Sequence, residues 1–183
     1  MTIALLVIDM HQGMQSRIDS GRDHVNPEAP KRVADLLARF REREVPVIHV
    51  HHSDPDPASP FHPGHPDHAI MADAQPLPGE PIFIKSGSSS FAGTGLQAHL
   101  RTNGITRLVV AGAVAAFCIT STVRQASDLG FEVLLPADAL MGFDIPAHDH
   151  GRIPAADVLR VTLSLLGADF ATLTSATAVC ETV

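Results

Sequence analysis

The stretch TRLVVAGAVAAFCITSTVRQASDL, residues 106–129, constrains the fold more than any other part of the chain. Leu108, Val109, Val110 and Ala111 form a short unbroken apolar run, the form of a strand covered on both faces, as in a parallel sheet. Gly112 breaks the run. From Phe117 the spacing turns helical, with Ile119, Val123 and Ala126 on one face and Thr120, Ser121, Arg124 and Gln125 mostly on others. The segment therefore reads strand, turn, helix. Cys118 falls in the first helical turn, where unpaired backbone N–H groups and the helix dipole favour a thiolate and offer donors to an oxyanion.

The rest of the chain repeats that alternation. Apolar runs at 3–8, 45–50, 81–84 and 131–135 read as strands, and residues 170–183 supply a last strand and tail. Helices follow Pro30 along Val33, Leu36, Leu37 and Phe40, pass through Leu96 and Leu100 to Asn103-Gly104, and run from Ala155 to Leu166, closed by Gly167. Strands alternating with helices predict an α/β fold, a three-layer αβα doubly wound sheet with right-handed crossovers. Residues 10–30 and 136–154 read as loops. The Pro-, His- and Asp-rich stretch of about 52–80 leaves the carboxyl end of a strand and is expected to cover it as a lid.

With 183 residues, the expectation is a single domain, 1–183. Apolar residues make up 45%, yet no run approaches the ~18 needed to span a bilayer. The start MTIALLVIDM has neither a basic region before its apolar run nor a small-residue cleavage site after it, so it reads as a strand of a cytoplasmic protein. A formal charge of -7 argues against nucleic acid and anionic membranes and leaves a small-molecule substrate. Two cysteines, Cys118 and Cys180, make no disulfide framework.

Three reactive groups end three strands: Asp9, Lys85 and Cys118. Ligands of open parallel sheets bind outside the carboxyl ends of the strands, so all three belong to one rim. A thiol needs a proton acceptor, and a thiolate needs a positive neighbour. A shift of the thiol pKa from ~8.5 to ~6.5 would raise its ionised fraction at pH 7 from about 3% to roughly three quarters.

The segments VIDMHQGM, IKSGSSSF.GT.L and VAGAVAAFCITSTVRQASDLGFEVLLPADAL resemble the three signatures of the isochorismatase-like cysteine hydrolases, a superfamily that includes nicotinamidases, N-carbamoylsarcosine amidases and ureidoacrylate amidases. The resemblance implies six parallel strands and a catalytic triad of Asp9, Lys85 and Cys118. It implies a cis peptide at Ala113-Val114, an oxyanion hole from the amides of Val114 and Cys118, and substrate contacts from Met14 and Phe91. A homo-oligomer is expected as well. Two departures stand out. Ala115 and Ala116 replace a Thr and an Asp or Asn that many relatives carry. Nicotinamidases bind a metal through an Asp-x-His pair where this chain reads His52-Ser53-Asp54, in reverse order, so no metal and no cofactor are expected. His49 and His51 share one face of their strand and His52 points away. The resulting expectation is a metal-independent hydrolase of a small amide-like C–N bond, acting through a Cys118 thioester. The alternatives are vinyl-ether cleavage of the isochorismatase type, a metal-assisted nicotinamidase-like amidase, and a binding protein without activity.

Overall fold

The computed structural model describes residues 2–183. Among the described residues, ten strands and six α-helices follow one another: β1 (Thr2–Ile8), α1 (Gln12–Asp19), β2 (His24–Val25), α2 (Ala29–Glu42), β3 (Val47–His52), β4 (Ile82–Lys85), α3 (Leu96–Thr102) and β5 (Ile105–Ala113), then α4 (Thr120–Asp128), β6 (Glu132–Pro136), β7 (Leu140–Phe143), β8 (Ile145–Pro146), β9 (Arg152–Ile153), α5 (Ala155–Asp169), β10 (Thr172–Thr174) and α6 (Ala176–Thr182). Six strands form the main sheet in the order β10-β6-β5-β1-β3-β4, every pair parallel.

Alternation along β1 explains the layers. Ala4, Leu6 and Ile8 face a core with Leu96 and Leu100 of α3, Val123 and Ala126 of α4, and Leu166 of α5. Leu5 and Val7 face the opposite core, with Met14 of α1, Val33, Leu36, Leu37 and Phe40 of α2, and Ala176 and Val179 of α6. Every residue of β1 from Ala4 to Ile8 is thus buried on one side or the other, which is why the strand reads as a continuous apolar run.

The structure corrects the sequence reading in several places. Residues 10–30 are not a loop throughout: α1 forms there on two residues four apart, Met14, which is buried, and Ile18, which packs on the same core. The loop expected at 136–154 contains β7, which pairs with the end of β5 after β6 has diverged, and the hairpin β8–β9. The chain end is a helix, capped by Ser175 accepting from the Ala178 amide at 3.2 Å. α5 continues through Gly167 to Asp169, and Leu173 packs where a side chain at 167 would stand, which accounts for the glycine. Gly112 does not end β5. At φ +120 it carries the strand one residue further, and a Cβ there would lie 2.1 Å from the Ile8 carbonyl oxygen, so only glycine lets β5 run this close to β1. β3 extends two residues beyond its expected end, which puts His52 in register with Lys85.

The segment after β3 is docked rather than hanging free. Gln12 and Met71 amides donate to Ala69 and Met10 carbonyls at 2.6 and 2.9 Å, and Ser16 donates to Asp67 at 2.7 Å. Among the described residues, no helix is long and apolar enough to cross a membrane.

Candidate active site

β1, β4 and β5 deliver three side chains to one point. Asp9 follows β1 in the left-handed region at φ 51, held by its amide donating to Val50 at 2.9 Å and its carbonyl accepting from His11 at 2.8 Å. Lys85 ends β4. Because β3 lies between β1 and β4, two strand spacings of about 4.8 Å separate their backbones, and a long side chain must close the gap. Lys85 Nζ reaches Asp9 Oδ2 at 2.7 Å and Cys118 Sγ at 3.2 Å, with the Lys85 side chain 0% and the Asp9 side chain 2% exposed.

Cys118 lies in a π-helical turn, Ala115–Ile119, that leads into α4, not in the first turn of a regular α-helix. The amides of Phe117 and Ile119 both donate to the Val114 carbonyl, at 2.9 and 3.3 Å. The Ala113-Val114 peptide bond is cis.

The electrostatics differ from the sequence expectation of a lowered thiol pKa. Burial first, then the Asp9 charge, push the Cys118 thiol up to about 11, and Lys85 offsets only part of this. The sequence reading counted the lysine and the helix terminus but not the desolvation of the thiol or the carboxylate within 4.8 Å of it. The resting cysteine is therefore a neutral thiol with a base beside it. Oδ1 of Asp9 is buried without a hydrogen-bond partner, which leaves an acceptor available for a proton.

His52 joins this cluster, with Nδ1 3.0 Å from Lys85 Nζ. The sequence reading placed His52 beyond its strand and weighed it only as a metal ligand. The signal that identifies it is register, since in-register neighbours present their side chains on the same face of a sheet. Oxygen, nitrogen and sulfur atoms of Asp9, His52 and Cys118 lie within 4.8 Å of one another, a set that could in principle hold a metal ion. They do not fit one here, because each is within hydrogen-bond distance of the Lys85 ammonium, and a divalent cation cannot share that point. Asp54, the acid of the reversed pair, accepts from the Asp56 amide at 3.0 Å.

A second histidine missed at the sequence level, His11, is 0% exposed and braces the site. Its Nε2 accepts from the His52 amide at 3.2 Å and its Nδ1 donates to the His68 carbonyl at 2.6 Å, which fixes a neutral tautomer. Phe61 closes edge-on over His11 and His52, with ring centroids at 5.4 and 4.8 Å. Met14 and Phe91 occupy core positions. Met14 packs in the layer under α2, and Phe91 stacks on Phe131 at 6.0 Å in the cluster against which Cys118 also packs. A concavity of about 570 Å³, lined in part by Arg41, Val47, Glu80 and His99, lies at the opposite, amino end of the strands.

Comparison with known proteins places the fold in a family. Residues 3–161 match the isochorismatase domain. An uncharacterized isochorismatase family protein of Bacillus subtilis, YrdC, is 31% identical over 170 residues, 93% of this chain and 90% of that protein. A streptothricin hydrolase of Streptomyces noursei is 36% identical over 169 residues, 90% of this chain but 59% of that protein. A crystal structure of an isochorismatase-family protein from Chromobacterium violaceum superposes with a TM-score of 0.93 at 35% identity, covering 98% of this chain and 92% of that one.

Proposed function

The chain belongs to the isochorismatase family and is a hydrolase, and from that premise we propose that it cleaves a small amide-like C–N bond through a thioester on Cys118. The observation that carries the reading is the Lys85 ammonium, buried and within reach of both Asp9 (2.7 Å) and Cys118 (3.2 Å). In this scheme Cys118 Sγ attacks the carbonyl carbon while its proton passes to Asp9. The transfer accompanies the attack because the thiol is not ionised beforehand. The amides of Val114 and Cys118 receive the oxyanion. The C–N bond then breaks, Asp9 returns the proton to the departing nitrogen, and a thioester remains. Asp9 next takes a proton from water, whose oxygen adds to the acyl carbon; the sulfur leaves and recovers the proton. Lys85 stays between the two groups throughout and stabilises whichever is negative.

A small neutral substrate suits this site, because its charged groups already pair with one another. The streptothricin hydrolase relative, a hydrolase by name, supports the reaction class and not a particular substrate for this chain. Partnership with a second copy is part of the proposal. Ile82 and Ile84, 48% and 55% exposed on the edge strand β4, are the kind of apolar edge that monomers usually blunt with charge. A cytoplasmic location, with neither nucleic acid nor membrane as partner, completes it.

The test is a screen of small amides, ureides and isochorismate with ammonia and product detection, run beside Cys118→Ala. Amine or ammonia release by the wild type and not by Cys118→Ala is expected. Cleavage of isochorismate alone would replace the amidase reading with vinyl-ether hydrolysis.

A further inference from the structure

Four acceptors surround Lys85 Nζ: Asp9 Oδ2 at 2.7 Å, His52 Nδ1 at 3.0 Å, Cys118 Sγ at 3.2 Å and the Gly87 carbonyl at 3.2 Å. An ammonium has three protons, so its orientation depends on which acceptors compete for them. Asp9 and Cys118 lie toward the chemistry. His52 and Gly87 set the remaining direction.

We propose that His52 is a positioning residue of this site: its unprotonated Nδ1 accepts one Lys85 proton and so keeps the ammonium where it reaches Asp9 and Cys118 together. Three independent contacts hold the imidazole ready for this. Pairing in register with Lys85 fixes its strand position. The His52 amide is tied to buried His11 at 3.2 Å. The Phe61 ring, 4.8 Å away, limits its rotation. A nitrogen 3.0 Å from an ammonium keeps its proton off, so the tautomer is the one with hydrogen on Nε2. The groups facing the ring are Lys85, Asp9, Asp54, His11, Cys118 and the Gly87 carbonyl. Burial first, and then the Lys85 charge, hold its pKa below the ordinary value, which keeps it neutral near pH 7.

The inference rests on the catalytic reading of Lys85 and Cys118, but its test needs no substrate, so the two can fail separately. Nitrogen-15 NMR of the wild-type protein at pH 7.5 reports the tautomer directly. Hydrogen on Nε2 is expected, and hydrogen on Nδ1 would overturn the proposal. The second arm measures iodoacetamide alkylation of Cys118 at pH 9 in His52→Asn and His52→Phe, beside thermal unfolding. His52→Asn offers its side-chain oxygen where Nδ1 stood, and should alkylate within about threefold of wild type. His52→Phe fills the same space without an acceptor, and should alkylate at least about tenfold more slowly as the ammonium drifts from the thiolate. A residue that only supports packing would shift the melting temperature and leave the alkylation rate alone. Wild-type alkylation in a folded His52→Phe would refute the role, and if that variant fails to fold the tautomer decides.

Discussion

Replacing Lys85 by Met keeps the stem of the side chain and removes its charge from a pair that is 0% and 2% exposed. At 2.7 Å and an effective dielectric of 20 the pair attracts by 332/(20 × 2.7), about 6 kcal/mol. Desolvation offsets part of that, and breaking a buried pair from one side costs roughly 3–5 kcal/mol because the other charge is left stranded. A chain of this size loses about 2–4 °C of Tm per kcal/mol, so Lys85→Met should melt roughly 6–20 °C lower. The decisive comparison is the double variant Asp9→Asn/Lys85→Met, which strands no charge and should recover to within about 2 kcal/mol of wild type in urea unfolding. Both variants should lose hydrolysis, and in Lys85→Met the Cys118 thiol should titrate still higher, since Asp9 then acts on it without a counter-charge. Lys85→Arg should restore little activity, because a planar fork cannot stand where a compact ammonium meets three side chains. If Lys85→Met and Asp9→Asn cost little singly and simply add, the buried pair is not the centre of the site.

With the thiol held near 11, Cys118 alkylation by iodoacetamide should rise about tenfold per pH unit from pH 7 to pH 10, whereas a plateau by pH 9 would mean that a thiolate is already present. Burial lowers the pKa of His11 and His49 and takes His51 down to about 4. Folded values below the unfolded 6.5 mean that this stability is fully present above pH 6.5 and is lost as the pH falls toward 4. The urea midpoint should accordingly hold from pH 8 to 7 and fall below 6.5, less steeply in His51→Gln; equal slopes would exclude His51 as a cause. Gly112→Ala forces a Cβ to 2.1 Å from the Ile8 oxygen and should cost about 3 kcal/mol or more, so an unchanged midpoint would show that β1 and β5 can separate there.

How much was legible in the sequence depended on whether a residue's neighbours were local. β1 and β5 could be read because burial on both faces writes itself as an apolar run, and α2 because Val33, Leu36, Leu37 and Phe40 keep the helical period. α1 was not legible, since two apolar residues in eight make too weak a stripe, and its partners come from the loop after β3. β7 escaped because it is four residues long and is specified by the end of β5. Asp9, Lys85 and Cys118 each announced themselves as reactive groups at strand ends. His52 and His11 did not, because their roles come from a two-residue extension of β3 and from a contact 41 residues apart in sequence. The direction of the Cys118 shift was missed because charge neighbours can be inferred from strand ends while burial cannot.

The measurement that meets the central claim most directly is acid quenching during turnover of a substrate from the amide screen, followed by intact mass and peptide mapping. The account predicts one acyl group per chain, carried on the peptide containing Cys118, absent in Cys118→Ala and accumulating when hydrolysis of the thioester is slower than its formation. Sustained turnover by Cys118→Ala would contradict it.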